Sequence, residues 1–274
     1  MSPHCIHSLL LCLTLGSASA LAADDVPTLL KAADRYRTDS TDLQVETEVK
    51  VYKADGSPDK ERRYTVFVQA GHRSLVLMRS PAEAGQKVLM LGDDFWLLMP
   101  GSQRPLRITP MQKLLGDAST GDIATLSWSE DYSGQLLGEE HCSLTPTLRP
   151  TATSTAGSTV VSPPADAAAS VPCLHLSLSA NRKGVSYQRI ELWLGQRRHE
   201  PLRAELYVQS DKLAKEARFV FDKPAAPTLV TEMVLTDRLG NGKETRVRYL
   251  SRQARSVPET WLNPMFLARN PSLE

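Results

Sequence analysis

Between Arg73 and Pro105, three apolar segments follow one another almost without polar interruption: Leu75-Val76-Leu77-Met78, Val88-Leu89-Met90-Leu91 and Phe95-Trp96-Leu97-Leu98-Met99. Ser80-Pro81 and Gly85 separate the first two, and Gly92-Asp93-Asp94 separates the last two. Gly and Asp tolerate the positive φ angles of tight reversals, so the last pair is expected to form a β-hairpin. A strand with one face in water alternates apolar and polar residues. These segments do not alternate, so both faces must be buried, by packing or by a bound molecule. An antiparallel sheet with an oily concave surface is one solution, and it points towards carrying a lipid.

The rest of the chain supplies more strands and little helix. Asp25 to Arg37 reads as an amphipathic helix, with Asp25 at the N-cap, Pro27 in the first turn, and Val26, Leu29, Leu30 and Ala33 at helical spacing. The period then changes to two. Leu43, Val45, Thr47, Val49 and Val51 alternate with Gln44, Glu46, Glu48 and Lys50. Asp55-Gly56-Ser57-Pro58 turns the chain back into Arg63–Gln69. Residues 108–127, broken by Gly116 and Gly121, read as short helices and loop. Strand patterns resume at Tyr132–Glu139, Leu174–Leu178, Tyr187–Leu194, Pro201–Gln209 and Ala217–Asp222. Val230–Leu235 and Thr245–Leu250 pair across a glycine-rich turn. Roughly ten strands at hairpin spacing indicate a mainly β (α+β) fold, a large curved antiparallel sheet forming an incomplete barrel around small helices.

The N-terminus bears on compartment. The first charged residue is Asp24; before it, Leu9–Leu15 is apolar and Ala20-Leu21-Ala22 offers an A-x-A cleavage site. Residues 1–23 are read as a cleaved signal peptide, although the segment before the apolar run carries His4 and His7 rather than Lys or Arg. The run is far short of the ~20 residues that span a bilayer, and Cys5 and Cys12 lack a lipoprotein cleavage context. Export to the periplasm is expected, with residues 24–274 as a single domain. All Lys, Arg, Asp and Glu lie beyond residue 23, so the mature chain keeps the net charge of +1, which argues for no nucleic-acid partner. Only Cys142 and Cys173 remain after cleavage, and an even pair in an oxidising compartment is expected to form a disulfide. It would close the Thr-, Ser-, Ala- and Pro-rich insert 143–172, read as a flexible surface excursion. His141 and His175 beside the cysteines are too few for a metal site.

Catalytic signatures are absent: there is no G-x-S-x-G elbow, P-loop, H-E-x-x-H or C-x-x-C. Asp93-Asp94 reads as a hairpin turn and His72 as a surface turn residue. Ser127, Ser129, Glu130 and Asp131 cluster with no histidine near in sequence, which leaves a lipid hydrolase as the weakest of three readings. No enzyme activity, cofactor, catalytic residue or metal is expected.

The order of features resembles the periplasmic outer-membrane lipoprotein-sorting family, with its LolA- and LolB-like fold. The residues that carry the likeness are the signal and helix, then SPAEAGQKVLMLGDDFWLLMPGSQRPLRIT with Trp96–Pro100 and the basic turn at Arg104 and Arg107, then Gly121–Tyr132, and finally Tyr187–Leu194 with Glu200–Glu205. The resemblance covers most of residues 24–260 except the insert. It implies a curved sheet wrapped around small helices and enclosing a cavity for acyl chains. It also implies a lipid or acylated lipoprotein as cargo, and an inner-membrane transporter as a further partner. The candidate lipid-binding residues are Phe67, Met78, Met90, Trp96, Leu98, Met111 and Leu115, with Met111–Leu115 as a lid. The protein is expected to act as a monomeric carrier. The competing reading is an interaction protein of the same fold, an exporter accessory or an envelope-stress regulator. It would dock through the insert or through the C-terminal tail with Trp261, Met265 and Phe266.

Overall fold

The computed structural model describes residues 25–38, 42–53, 55–124, 127–143, 170–240 and 243–273. The signal-peptide reading and most of the insert lie outside the described residues. One helix, α1 (Val26–Asp34), precedes the sheet; Asp25 caps it by accepting from the Thr28 amide at 3.3 Å, and it buries Leu29, Leu30 and Ala33. The first strands are β1 (Leu43–Tyr52), β2 (Pro58–Gln69), β3 (Arg73–Met78), β4 (Lys87–Leu91), β5 (Asp94–Leu98) and β6 (Leu106–Ile108). Then come β7 (Lys113–Leu115), β8 (Ala118–Ser119), α2 (Thr120–Ala124) and α3 (Trp128–Asp131). The second half holds β9 (Tyr132–Ser143), β10 (Ser170–Ala180), β11 (Arg189–Gly195), β12 (Pro201–Tyr207), β13 (Leu213–Phe221), β14 (Val230–Asp237), β15 (Glu244–Ala254) and, in the tail, α4 (Pro264–Ala268).

Thirteen strands make one antiparallel sheet, in the order β6-β5-β4-β3-β2-β1-β15-β14-β13-β12-β11-β10-β9. The sheet is open, with β6 and β9 as its edges. Nearly every neighbour is joined by a hairpin, and the two halves meet where β15 returns to pair with β1 along its whole length. The short strands β7 and β8 form a separate hairpin. The sequence reading of residues 108–127 is therefore corrected. It holds a two-stranded hairpin ahead of α2, because Gly116 takes a left-handed φ of +56° and turns the chain after one short strand. A Cβ there would stand 2.5 Å from Val51 Cγ2, so only glycine lets this hairpin seat on β1.

The β4–β5 hairpin forms as read. Leu91 pairs with Asp94 across a two-residue loop in which Gly92 has φ +58°. The strand count exceeds the ten read from pattern because short β6 and the hairpin strands carry too few residues to show a period. Cys142 and Cys173 are bonded, with Cα atoms 5.9 Å apart, joining β9 to β10 at the base of the insert. The two strands extend to Ser143 and from Ser170, so they take up both ends of the stretch read as insert.

Pleating sorts the apolar residues into two cores. The inner, concave face presents Val45, Val49, Tyr64, Val66, Val76, Met78, Val88, Met90 and Phe95, and continues across the second half through Leu192, Leu206, Phe219 and Leu235. It is filled by α1, α2, α3 and the β7–β8 hairpin. The outer face of β2–β5 presents Phe67, Leu75, Leu77, Leu89, Trp96 and Leu98, and the chain's own tail covers it.

Candidate functional site

The helices that fill the concave face are short and are tied down by polar contacts. Asp34, at the end of α1, accepts from the amides of Trp128 and Ser129 (both 2.8 Å) and from Ser127 Oγ (3.0 Å), so one carboxylate caps α3 from a different helix. This satisfies amide protons that a single-turn helix leaves exposed. Trp128 packs edge-on against Phe219 at 5.7 Å, with the Arg37 guanidinium 3.9 Å over its ring. Helix α2 is held from below. Asp122 accepts from Lys215 Nζ (2.6 Å), the Tyr187 hydroxyl (2.7 Å) and the Ser119 amide and hydroxyl (2.8 and 2.7 Å). Burial alone would raise the Asp122 carboxyl, but the Lys215 ammonium and these donors outweigh it and hold it below the ordinary range. Tyr187 moves the opposite way: burial and the adjoining carboxylate push its phenol well up.

Between the helices and β11–β14 lies a cavity of about 40 Å³, walled by Trp128, Ile190, Leu206, Phe219 and Met233 on its apolar side and by Asp122 and Tyr187 on its polar side. That is room for a few waters, far below the ~300 Å³ of a small-molecule pocket. The helices and the β7–β8 hairpin fill most of the concave face.

The mouth is closed by a second polar set. Arg182, in the β10–β11 turn, donates from Nη1 to Asp131 Oδ1 (2.9 Å) and from Nε to Asp93 Oδ1 (2.8 Å), which also accepts from the Gly184 amide (3.0 Å). His72 Nδ1 stands 3.3 Å from Asp131. Asp93 lies in the β4–β5 turn, so hairpins from opposite halves of the sheet meet here over α3. The bond from Arg182 is the main reason the Asp93 carboxyl sits below the usual range.

The candidate residues divide between the two faces. Met78 and Met90 lie on the inner face with Leu115, and Met111 packs partly buried against the same core. Phe67, Trp96 and Leu98 lie on the outer face, under Val257, Trp261, Leu262 and Leu267 of the tail. Phe67 and Trp261 meet edge to face at 5.6 Å. The tail is pinned by Gln69, whose Nε2 donates to Arg255 O (3.1 Å) and whose Oε1 accepts from the Val257 amide (3.1 Å), and by Arg73 on Glu259 at 2.8 Å. The two-sided apolar character of β3–β5 thus has its explanation in packing: helices on one side, tail on the other. The cavity lining at Trp128, Ile190, Leu206, Phe219 and Met233 escaped the sequence reading, though the alternation of Ala204-Leu206 and Ala217-Phe219 carries the signal. Among the described residues no cluster of three or more His, Cys, Asp or Glu is placed to hold a metal.

The whole is an open sheet curled round small helices, with an apolar concave face. A protein-family model described as a "-like" uncharacterized protein matches residues 70–269. The chain belongs to that family, and its fold is LolA-like. A LolA superfamily protein from Nitrosomonas europaea is 26% identical and superposes with a TM-score of 0.70, over 88% of this chain and 98% of that one. An outer membrane lipoprotein-sorting protein domain from Vibrio parahaemolyticus, 17% identical, has a TM-score of 0.60 with 88% and 98% covered. A DUF1329 family protein from Desulfovibrio piger, 20% identical, has a TM-score of 0.61 with the same coverage. The last two carry the fold alone. No curated protein matches the sequence. The LolA-like match takes in nearly all of the solved relatives' length.

Proposed function

We propose that this LolA-like protein is an exported, periplasmic carrier that holds the acyl chains of a lipid or lipoprotein against its concave face and passes them on without covalent chemistry. One observation carries the reading. The concave face is covered by short helices and a two-stranded hairpin that are separate pieces tethered through polar side chains, so its cover can be exchanged for acyl chains. Moving α3 and α1 away, Trp128 included, uncovers Leu206, Phe219 and Met233 of the sheet, and each acyl CH₂ that replaces the helices there contributes ~0.8 kcal/mol. The hairpin containing Leu115, with Met111 before it, is the lid over the other end. Met78 and Met90 adapt to varied apolar partners there. Phe67, Trp96 and Leu98 support the wall from outside. The LolA superfamily likeness and the Cys142–Cys173 disulfide support the compartment.

The rival reading is docking of a membrane partner through the insert, most of which lies outside the described residues, or through the tail. Trp261 and Phe266 are spent on the outer face, and Met265 alone of the three remains 60% exposed. The deciding experiment is native mass spectrometry of protein purified from the periplasm without detergent, followed by organic extraction and by uptake of a fluorescent acyl probe. The expected result is a bound mass that extracts as lipid. Ala217→Leu pushes a larger side chain from the cavity wall into the acyl path and should cut uptake at least tenfold in a folded protein. Wild-type protein that is apo and takes up neither phospholipid nor acyl peptide overturns the carrier.

A further inference from the structure

Three cations are buried among the described residues: Arg37, Lys87 and Lys215. Lys215 is bonded to Asp122 and Arg37 lies 3.8 Å from Asp34. Lys87 has no described carboxylate within ion-pair distance, although only 6% of it is exposed. It points from β4 to the outer face, at the end of the apolar set, beneath the last turn of the tail. Its ammonium donates to Asn270 Oδ1 (2.6 Å) and Gly85 O (3.2 Å), and an ammonium has three protons to give. Neutral oxygens orient a charge without cancelling it, and a buried uncompensated charge is costly. Burial alone depresses its pKa, with no acidic neighbour to hold it up.

The ammonium borders a surface pocket of about 180 Å³, lined also by Arg79, Gln86, Gly85 and Asn270. At ~30 Å³ per water this admits a multi-atom ligand. Arg79 gives its Nε–H to Thr65 Oγ1 (2.8 Å) and likewise has no described carboxylate within ion-pair distance. The tail residues that line the pocket, Asn270, Pro271 and Leu273, are uncharged. Leu77, Met78, Pro271 and Leu273 complete the lining, so the pocket's charge comes from Lys87 and Arg79 alone and is positive.

We propose that this pocket is an oxyanion site, taking a phosphate group with Lys87 as the buried counter-charge and Arg79 at the rim. The site lies on the opposite side of the sheet from the cavity and does not depend on the carrier reading. The phosphate can be dissolved or can belong to a lipid headgroup, and the test separates the two. Thermal unfolding is followed at constant ionic strength with chloride replaced by inorganic phosphate, for wild type, Lys87→Met, Lys87→Arg and Arg79→Gln. Phosphate about tenfold above its dissociation constant should raise the wild-type midpoint by about 3–5 °C. The shift should vanish in K87M, persist in K87R and shrink in R79Q. Flotation with phosphatidylcholine vesicles, with and without phosphatidylglycerol, assigns the source. Vesicle binding lost in K87M marks a headgroup, and a phosphate shift without vesicle binding marks a soluble anion. An equal phosphate response in wild type and K87M, or none in wild type, overturns the site.

Discussion

The buried Lys215–Asp122 pair decides how firmly α2 is held. Its two members are desolvated together, so removing one leaves the other charged and unpaired. Lys215→Met should destabilise the protein by about 3–5 kcal/mol in urea unfolding, and the double variant K215M/D122N should recover much of that loss. A double variant as unstable as the single one would show that the pair does not act as a unit. The same carboxylate sets an acid limit. Its pKa is lower folded than unfolded, so its stabilising contribution is full above the ordinary carboxylate value near 3.8. The contribution falls away as pH drops from there through the depressed folded value. Stability measured from pH 5 to 2 should fall more steeply in wild type than in D122N.

At the scale of elements, the C-terminal tail is the piece whose role is least expected from its position in the chain. It has no partner strand, yet it supplies Val257, Trp261, Leu262 and Leu267 to the outer core. Trp261→Ala should cost about 3–5 kcal/mol and expose Phe67, Leu75 and Leu89. The readouts are a lowered unfolding midpoint and increased binding of an apolar dye; an unchanged midpoint would show that the tail is not part of the core. The disulfide works on a different element. It ties β9 to β10 across a separation of 31 residues, a loop whose closure is worth ~3–4 kcal/mol. Thiol reductant should lower the thermal midpoint of wild type and leave a Cys142→Ala/Cys173→Ala variant unmoved.

For the whole molecule, the sheet's two halves are joined along β1–β15 and meet again at the mouth through Asp93, Arg182 and Asp131. These last contacts are few and centre on the Arg182 guanidinium, so they are where an opening motion starts. Arg182→Gln should speed uptake of a fluorescent acyl probe several-fold in stopped flow while changing equilibrium stability little. Uptake at the wild-type rate would place the opening elsewhere.

Periodicity made the architecture legible. The helix at α1, the hairpins at β1–β2, β4–β5 and β14–β15, and the curved antiparallel sheet follow from residues that interact with near neighbours in the chain. The disulfide was legible because, with residues 1–23 read as a signal, Cys142 and Cys173 were the one pair left to form it. What covers each face of β3–β5 was not. Pleating puts Trp96 with Leu98 and sets Phe95 with Leu97 on the opposite side, but a strand's sequence says only that a face is dry. Whether helix, tail or ligand dries it depends on contacts between residues far apart, such as Phe67 with Trp261. Those contacts exist only once the sheet has curled, and that is why the tertiary structure alone could assign one face to the cavity and the other to the tail.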